Sequence, residues 1–417
     1  MTNKINLLIV HYGDNWLRGS EVCLINLIES LDDRYVPILW TNNPALVEYA
    51  KTNHIRVEET QFPRMLSLQS NERTFDWSQW CVLYNKARIL IRKYHINLVH
   101  VNSGAPCQWM TMAAHTTKTP LVAQLHSDYN LHDRFTLGLH AVPNIITVSH
   151  AISTSLLDEG FDKHRLHVVH NGVPSQDCSE VESINIRQKL GIADSAKIMI
   201  SIGSLIDRKG FDRLISAAYK LREQDIDCHL VIIGDGENKT LLKQFAQAID
   251  MQDYVHLVGE QSNVPAWLAG GADMFISGAR SEAFGLVIVE AALAGLPVIA
   301  PATGGIVEII TDRDNGLLYP NTQDAVDHIV QRVSSIIYDP SYGQNIANAG
   351  KVNAQRHFSI ENNVSHIEAV YENVLLEPKR HRSVFAMFKC TLRPFKTLLT
   401  KHIVGRFINR GADYENC

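Results

Sequence analysis

No part of the sequence is apolar enough to span a membrane. No run approaches the roughly 18 consecutive apolar residues that a transmembrane helix requires. The apolar run near the N-terminus, Ile5–Val10, is shorter than the core of a signal peptide and has no cleavage site after it. We therefore predict that the protein is not integral to a membrane, and we interpret this run as the first buried strand of a domain.

Paired cysteines are lacking as well. The seven cysteines are odd in number and form no C-x-x-C pair, whereas a disulfide framework or a zinc cluster requires closely spaced pairs. They are Cys23, Cys81, Cys107, Cys178, Cys228, Cys390 and Cys417. We predict no disulfide framework, no zinc cluster and a reducing compartment, the cytoplasm.

An excess of positive charge and two common phosphate motifs are also missing. The chain has 39 Lys and Arg against 44 Asp and Glu, a net charge of −5, so there is no chain-wide basic field to bind nucleic acid. No G-x-x-x-x-G-K-[ST] sequence occurs, and the loop Gly234-Asp-Gly236 lacks the third glycine of the dinucleotide fingerprint. These absences argue against a P-loop NTPase and weaken the case for a dehydrogenase.

What the sequence does contain is a repeated alternation of short apolar runs and amphipathic stretches. A length of 417 residues favours two or three domains. The strands predicted in the first half are Ile5–Val10, Val36–Trp40, Ile55–Glu58, Leu98–Val101, Leu121–His126 and Ile145–Ser149. Continuous apolar runs are typical of strands buried on both faces, so we predict a parallel sheet covered by helices such as Ser20–Leu31 and Gln79–Tyr94.

The alternation begins again after an irregular polar segment, 174–182. The strands predicted there are Lys197–Gly203, His229–Gly234, Tyr254–Val258, Met274–Ser277 and Pro297–Ala300, and the helices are Phe211–Gln224, Lys239–Ile249, Gly285–Ala294, Asp324–Ile337 and Asn362–Leu376. Two doubly wound sheets predict two domains around a cleft, with ligands beyond the carboxyl ends of the strands. We place the domains at 1–175 and 185–357, and expect a helix at about 358–377 to pack back on the first.

The remaining segment, 378–417, has a different character. Between Pro378 and Arg410 it carries nine Lys and Arg residues and no acidic residue, while apolar side chains recur near helical spacing. A basic amphipathic helix suits an anionic membrane surface. Packing on the protein body or on a partner is the alternative interpretation.

One segment of the second half has the features of an anion site. Ser281-Glu-Ala-Phe-Gly-Leu-Val-Ile-Val-Glu290 follows a predicted strand and leads into a helix that starts near Gly285. The first backbone N–H groups of a helix have no intrahelical partner and can bind a diphosphate, which a glycine allows to come close. Glu290 could then accept hydrogen bonds from ribose hydroxyls, and Glu282 from sugar hydroxyls.

Two glutamates beside a helix can also be an ordinary solvated face. Glu290, however, lies within the apolar run Leu286–Leu293, where a carboxylate is costly to bury without a partner or a ligand. This cost favours a ligand-binding role.

A pair of adjacent cations, Arg208 and Lys209, follows the strand predicted at Lys197–Gly203. By itself such a pair is usually a solvated surface feature. Beyond the carboxyl end of a strand in the same sheet as the anion site, the two cations could neutralise a departing diphosphate. We therefore favour a role in catalysis.

In this order and at these spacings, the motifs resemble those of the retaining glycosyltransferases of family 4. The resemblance rests on Gly203–Gly210 with Arg208-Lys209, on Glu282-x7-Glu290, and on Thr303-Gly304-Gly305 followed by Asn315-Gly316-Leu-Leu. It covers roughly residues 1–377 and is most specific in the second half. It implies the α/β GT-B fold, with two Rossmann-like, doubly wound parallel-sheet domains facing a central cleft.

The resemblance also implies roles for residues of the second domain. Arg208 and Lys209 match the pair that contacts the donor diphosphate, and the backbone of Phe284, Gly285 and Leu286 matches the phosphate-binding helix start. Glu282 matches the glutamate that holds the donor sugar at the catalytic centre. Glu290 matches the glutamate that holds the nucleotide ribose.

In the first domain the resemblance involves two loops. Gly19 looks like the second glycine of the family's Gly-Gly-x-Glu loop at the donor site, but Arg18 stands where a further glycine is common. Our hypothesis is that Arg18 contacts a negatively charged acceptor. His126 looks like the catalytic-site histidine that closes the donor-sugar pocket, although a histidine at a strand end is equally often structural.

The function that the resemblance implies is transfer of a hexosyl-type group from a nucleoside diphosphate sugar to a glycan or lipid-linked acceptor, with retention at the anomeric carbon. It implies no metal or other cofactor, and cell-surface polysaccharide or lipopolysaccharide synthesis as the setting. We predict no nucleic-acid partner. A nucleotide-sugar epimerase or sugar phosphorylase of the same fold, or a non-catalytic nucleotide-sugar-binding subunit, are the alternatives.

Overall fold

The computed structural model describes residues 4–63, 66–67, 74–174 and 183–377, together with positions 390 and 392. The chain divides into two compact units. Unit 1 extends to His170 and includes the chain again from Val364, and unit 2 is Asn171–Asn363. The basic segment predicted at 378–417 lies almost wholly outside the described residues. Within the described ranges, no helix is both long and apolar enough to cross a bilayer.

Unit 1 is a parallel sheet with helices, and a short antiparallel hairpin, β4–β5, lies outside that sheet. Its described strands are β1 (Ile5–His11), β2 (Tyr35–Thr41), β3 (Arg56–Glu59), β4 (Leu66–Ser67), β5 (Thr74–Phe75), β6 (Leu98–Val101), β7 (Leu121–Leu125), β8 (Asn144–Thr147) and β9 (Leu166–Val168). Its described helices before His170 are α1 (Gly19–Ser30), α2 (Pro44–Thr52), α3 (Trp77–Lys93), α4 (Cys107–Thr117), α5 (Leu131–Thr136) and α6 (His150–Asp158). The parallel sheet predicted for this half is confirmed.

The strand order of unit 1 decides where a ligand can bind. The sheet runs β3-β2-β1-β6-β7-β8-β9, with every pair parallel. The chain starts at β1, builds outward to β3, and returns to the other side of β1 at β6. The carboxyl ends of β1 and β6 therefore form a topological switch point, which is where open parallel sheets bind ligands. β6, on one side of it, and the next strand, β7, are buried along their whole length.

Unit 2 repeats this plan. Its described strands are β10 (Lys197–Ile202), β11 (Cys228–Ile233), β12 (Val255–Gly259), β13 (Met274–Ile276), β14 (Val298–Pro301) and β15 (Leu317–Tyr319). Its described helices are α7 (Ile186–Leu190), α8 (Phe211–Arg222), α9 (Lys239–Ala248), α10 (Val264–Leu268), α11 (Leu286–Leu293), α12 (Ile306–Ile309), α13 (Ala325–Tyr338) and α14 (Pro340–His357), followed by α15 (Ile360–Leu376), which belongs to unit 1 from Val364 onward. The parallel order β12-β11-β10-β13-β14-β15 places a second switch point between β10 and β13.

Several elements have little periodicity in the sequence and were not predicted. Helix α14 contains Gly343 and Gly350, which lower helix propensity. Both glycines lie where the helix packs closely: an added Cβ would come within 2.8 Å of the Ile336 side chain at Gly343, and within 2.8 Å of the Asn315 carbonyl oxygen at Gly350. Tertiary packing therefore stabilises a helix that local propensity disfavours.

The end of α15 packs within unit 1. Tyr371 is fully buried, and its ring meets the ring of Tyr35 edge-on at 5.6 Å between centroids. Its hydroxyl reaches Nδ1 of His100 on β6 at 2.8 Å. This contact links the last described helix to the central strands of the unit 1 sheet.

Candidate active site

Two loops lie side by side at the switch point of unit 2, one after β10 and one after β13. Gly210 has a φ of +62°, and a Cβ added there would come within 2.0 Å of the Gly278 carbonyl oxygen. The Arg280 amide donates to the Arg208 carbonyl at 2.8 Å. Only glycine permits this approach of one backbone to the other. The loop that carries the two predicted cations is therefore held against the loop that carries Glu282.

The structure brings the adjacent residues Arg208 and Lys209 to Glu282, which lies 73 positions beyond Lys209 in the sequence. Lys209 Nζ donates to Glu282 Oε2 at 2.5 Å, and Arg208 Nη1 donates to the Ser281 carbonyl at 2.9 Å and lies 3.7 Å from Glu282 Oε1. The side chains of Lys209 and Glu282 are 18% and 12% exposed, against 45% for Arg208. Lys209 and Glu282 thus form a shielded ion pair with Arg208 at its solvent side.

Arg280 supports this arrangement, and sequence reasoning missed it. Its guanidinium binds both carboxylate oxygens of Asp212, at 2.9 and 2.7 Å, and also donates to the Asp207 carbonyl at 2.7 Å. Burial alone would raise the pKa of Asp212, but the hydrogen bonds and charge of Arg280 outweigh it and the pKa is lowered. Arg280 therefore fixes the single helical turn Asp207–Lys209 that presents the cations.

The Thr303-Gly304-Gly305 motif contacts the loop that carries Glu282. The Gly305 amide donates to the Glu282 carbonyl at 3.1 Å, and a Cβ added at Gly304 would come within 1.8 Å of that carbonyl oxygen. Gly304 has a φ of +53°. The two glycines position the backbone of Glu282, so their part in the motif is structural.

The start of α11 presents unpaired amides. Gly285 precedes the helix with a φ of +113° and no side chain caps it. The amides of Gly285, Leu286 and Val287 have no hydrogen-bond acceptor among the residues the structure describes. The Phe284 ring, by contrast, is buried and meets the Phe358 ring at 5.7 Å between centroids. These open amides, three residues beyond Glu282, together with the positive end of the helix dipole, favour an anion.

Glu290 lies one turn into α11. Its side chain is largely shielded, and within the described part of the chain no hydrogen bond or ion pair reaches its carboxylate. Burial raises its pKa to about 7. The sequence favours a ligand-binding role for Glu290, because a carboxylate is costly to bury without a partner or a ligand, and that role stays a prediction.

The raised pKa of Glu290 predicts a pH dependence of stability. The unfolded chain titrates near the ordinary value of 4.5, so the folded state holds this proton more tightly. The resulting stabilisation is fully present below pH 4.5 and is lost as pH rises through about 7. We expect it to amount to roughly 2–3 kcal/mol, measured as the change between pH 5 and pH 8 in the free energy of unfolding by urea. Glu290→Gln should lack this component, and an identical pH slope in both proteins would contradict the prediction.

A buried network of polar side chains occupies the switch point of unit 1. Asn102, directly after β6, lies at its centre. Its Nδ2 donates to His11 Nδ1 at 3.1 Å and to the Ser20 carbonyl at 3.3 Å. Its Oδ1 lies 3.0 Å from His126 Nε2 and 3.3 Å from His100 Nε2. All four hydrogen-bonding positions of the Asn102 amide are therefore used.

These contacts determine which ring nitrogens carry protons. The Ser20 carbonyl can only accept, so the Asn102 nitrogen faces it and also donates to His11 Nδ1, which leaves the proton of His11 on Nε2. The Asn102 oxygen can only accept, so His126 and His100 are both protonated on Nε2. Nδ1 of His126 is buried, and no partner for it is found within the described residues. Burial lowers the pKa of His126 to about 3, so the ring is neutral and this nitrogen is an acceptor.

Glu21 anchors the network to the start of α1. It accepts from His11 Nε2 at 2.9 Å and from the Arg18 amide at 3.2 Å. Burial would raise the pKa of Glu21, but these hydrogen bonds outweigh it, and the pKa is lowered. Gly19 is the first residue of α1, and Arg18 stands just before it with its guanidinium over the Trp16 ring at 4.1 Å. Sequence reasoning named Gly19, Arg18 and His126 here but missed Glu21 and Asn102, although Asn102 directly follows a predicted strand.

Two family profiles match the chain in succession. The profile described as Glycosyltransferase Family 4 matches residues 17–177, and that described as Glycosyl transferases group 1 matches residues 182–353. The chain belongs to the group 1, family 4 glycosyltransferases. This glycosyltransferase has the GT-B fold and is a transferase of the EC 2.4 class. The fold class and enzyme class predicted from the sequence are thereby confirmed.

The individual relatives have low sequence identity to this chain. The glycosyltransferase is 24% identical to N-acetyl-alpha-D-glucosaminyl L-malate synthase of Bacillus anthracis over 310 residues, 71% of this chain and 80% of the relative. It is 25% identical to alpha-monoglucosyldiacylglycerol synthase of Streptococcus pneumoniae over 274 residues, 60% of this chain and 61% of the relative. Among solved structures, HepE of Anabaena superimposes with a TM-score of 0.74 at 21% identity, covering 88% of this chain and 100% of HepE.

Proposed function

We propose that unit 2 binds a nucleoside diphosphate sugar as the donor. The observation that carries this proposal is the set of open amides at the start of α11, three residues beyond the Lys209–Glu282 pair. A diphosphate on these amides gains hydrogen bonds, the helix dipole and nearby cations together. Glu290, which lacks a partner among the described residues, accepts hydrogen bonds from the ribose hydroxyls. Glu282 accepts hydrogen bonds from hydroxyls of the donor sugar. HepE, similar in fold, has been crystallised with UDP and with UDP-glucose.

The proposed reaction retains the configuration at the anomeric carbon. The bond from that carbon to the diphosphate oxygen breaks, and the acceptor oxygen bonds to the same face. The acceptor proton passes to the departing diphosphate. Lys209 and Arg208 stabilise the negative charge that develops on the leaving group. His126 is neutral, with an acceptor at Nδ1, and binds a hydroxyl. The acceptor oxygen attacks the anomeric carbon directly, so the proposed mechanism uses no protein nucleophile.

We further propose that transfer requires no metal ion. Arg208, Lys209 and the α11 N-terminus supply the positive charge that a divalent cation supplies in other transferases. Within the described residues no group of three or more His, Cys, Asp or Glu side chains is arranged to hold a metal. We expect the rate to be unchanged by EDTA, and restoration of a lost rate by Mg²⁺ or Mn²⁺ would contradict this part of the proposal.

The setting we propose is synthesis of a cell-surface glycan or glycolipid on the cytoplasmic side of the membrane, with segment 378–417 as a peripheral contact. The named relatives include an N-acetyl-alpha-D-glucosaminyl L-malate synthase and an alpha-monoglucosyldiacylglycerol synthase. Acceptors therefore differ within the family, and the acceptor of this chain has to be inferred from its own residues.

The test of the donor proposal is a thermal-shift screen of UDP, GDP, ADP, TDP and their sugars. A ligand that binds only the folded state stabilises it by mass action, by about 2.7 kcal/mol at 100 times its Kd. We expect one base to stabilise the wild type clearly and Glu290→Gln much less. No stabilisation by any nucleotide would overturn the proposal.

The same preparation distinguishes the alternatives. Conversion of a nucleotide sugar without any acceptor would identify an epimerase, and a requirement for inorganic phosphate would identify a phosphorylase. Binding without release of nucleoside diphosphate, across a panel of acceptors, would identify a non-catalytic subunit.

A further inference from the structure

A series of buried hydrogen bonds joins the first turn of α1 to the residue after β7. The Glu21 carboxylate accepts from His11 Nε2 at 2.9 Å. The other nitrogen of that ring, His11 Nδ1, accepts from Asn102 Nδ2 at 3.1 Å. Asn102 Oδ1 then accepts from His126 Nε2 at 3.0 Å. Glu21, His11 and Asn102 are each at most 4% exposed, so water competes little for these groups.

The Glu21 carboxylate decides where the protons of this series lie. A carboxylate can accept but cannot donate, so the His11 proton is on Nε2 and His11 Nδ1 is an acceptor. The Asn102 amide must then turn its nitrogen to His11 and its oxygen to His126. An amide oxygen only accepts, so the proton of His126 is on Nε2. Three hydrogen bonds therefore connect the charge of Glu21 to the protonation of His126.

The same helical turn fixes the series at two further points. The Ser20 carbonyl, which can also only accept, receives a second hydrogen bond from Asn102 Nδ2 at 3.3 Å. The Arg18 amide donates to Glu21 Oε2 at 3.2 Å and leaves Oε1 to His11. At 3.3 Å the contact with the Ser20 carbonyl is longer than the three hydrogen bonds of the series, so it holds the Asn102 amide less firmly.

The far end of the network does not decide the direction of these hydrogen bonds. The Tyr371 hydroxyl lies 2.8 Å from His100 Nδ1, and His100 Nε2 lies 3.3 Å from Asn102 Oδ1. A hydroxyl can donate or accept, so Tyr371 follows whichever direction Asn102 presents. Burial lowers the pKa of His100 to about 4 and the pKa of His126 to about 3, so both rings are neutral and each has one protonated nitrogen.

We propose that Glu21 is a positioning residue for His126: its carboxylate sets, three hydrogen bonds away, which ring nitrogen carries the proton. It keeps Nδ1 of His126 free of a proton, the state in which that ring can accept a hydrogen bond from a hydroxyl. The catalytic consequence rests on the proposed transfer function, whereas the protonation pattern does not. Because Glu21 belongs to the first turn of α1, the position of that turn and the state of His126 are coupled.

Glu21→Gln tests the proposal, because it keeps the shape of the side chain and replaces one acceptor oxygen by a donor. The Arg18 amide can only donate, so it retains the oxygen of the new amide, and the new NH2 group faces His11 Nε2. The His11 proton then belongs on Nδ1, where it opposes the Asn102 nitrogen. We expect Asn102 to turn over, since its longest contact yields first, and His126 to become protonated on Nδ1.

The readout is the tautomer of each ring, measured by long-range ¹H–¹⁵N spectra of the full chain labelled with ¹⁵N-histidine. Protonated and bare ring nitrogens give well-separated ¹⁵N shifts, and single-histidine variants assign the signals. In the ligand-free wild type at neutral pH we expect His11, His100 and His126 to be protonated on Nε2 alone. A His11 or His126 ring protonated on Nδ1 in the wild type would overturn the proposal without any variant.

Glu159→Gln is the matched control. The Glu159 and Glu21 side chains are both 5% exposed and both lie in unit 1. Glu159 accepts from Arg134 at 3.0 and 2.6 Å and takes no part in the series that starts at Glu21. Its substitution should destabilise unit 1 and leave His126 protonated on Nε2. Tyr371→Phe should also leave that tautomer unchanged, because both determinants at the start of α1 remain.

Kinetics then separate this proposal from the transfer function. In Glu21→Gln we expect the His126 Nδ1 signal to move to the protonated position and kcat/KM to fall about three- to tenfold, the value of one hydrogen bond. An unchanged His126 signal in Glu21→Gln, or the same change in Glu159→Gln, would overturn the positioning role. If the tautomer changes and kcat/KM does not, Glu21 positions His126 as proposed, and the hydroxyl-binding role of His126 in transfer is wrong.

Discussion

Lys209→Met is expected to lower kcat/KM for sugar transfer by about ten- to a thousandfold, the effect of losing one charge contact in the transition state. The variant keeps most of the side-chain volume over Gly203, where the lysine stem lies at 3.6 Å from a would-be Cβ. It removes the cation and leaves the Glu282 carboxylate, only 12% exposed, without its 2.5 Å partner. The loss should fall mainly on kcat, because the charge develops as the diphosphate departs.

The matched control is Lys220→Met. Lys220 also donates to a carboxylate in unit 2, Asp327 at 2.6 Å, but it lies on α8 and is 43% exposed. An exposed pair of this kind contributes little, so we expect turnover within about twofold of wild type. Initial rates with the identified donor measure both variants.

The Glu282 carboxylate, the partner of Lys209, provides a second test. Glu282→Gln should lower kcat/KM by the same ten- to thousandfold. In the double variant with Lys209→Met, the loss of kcat/KM should be smaller than the product of the two single losses, because the residues act as a pair. Arg208→Met should cost less than Lys209→Met, since Arg208 is 45% exposed. Near-wild-type turnover in both Lys209→Met and Glu282→Gln would show that this pair does not belong to the active site.

Gly304→Ala should destabilise unit 2 by about 2–5 kcal/mol and reduce activity by about a hundredfold. The new Cβ would lie 1.8 Å from the Glu282 carbonyl oxygen, on a backbone at a φ of +53°. Left-handed backbone costs an alanine about 1–2 kcal/mol, and forcing the loops apart adds about 1–3 kcal/mol. Displacing a catalytic loop by about 1 Å is enough to cost about a hundredfold in rate.

Gly295→Ala separates the two causes. Gly295 also has a positive φ, +79°, but nothing lies within 4 Å of an added Cβ. Gly295→Ala should lower the free energy of unfolding only by the cost of the left-handed backbone conformation, about 1 kcal/mol, and should leave kcat unchanged. Urea unfolding and initial rates on both variants measure the difference. If the two alanines are equally harmful, backbone strain accounts for the loss and the Gly304–Glu282 contact has no special role.

Much of the fold could be predicted from the sequence, because the signals involved are local. Buried parallel strands such as Lys197–Ile202 appear as continuous apolar runs, and α8 has a clear helical repeat. Helix α14 could not be predicted, since its glycines are explained only by the side chains and carbonyl they pack against. The same holds for Arg280, whose partner Asp212 is 68 positions away.

The candidate site shows the same division. A glycine before an apolar helix, two adjacent cations and a glutamate in an apolar run are each visible in a linear sequence, and Arg208, Lys209, Glu282 and Glu290 were named for that reason. That Lys209 pairs with Glu282, and that Gly304 holds the Glu282 backbone, depends on contacts between loops. Sequence spacing contains no distance of that kind.

By itself, the sequence determined the class of this protein, through continuous apolar runs that are typical of buried parallel strands and an ordered set of motifs shared with family 4 glycosyltransferases. Only the tertiary structure decided how the side chains are used. Asn102 has no distinctive neighbours in the sequence, yet the switch point of the sheet brings His11, His100 and His126 to three of its four hydrogen-bonding positions, and the Ser20 carbonyl to the fourth. Hydrogen bonds of this kind are short and directional, so they are set by the fold and not by the order of residues along the chain.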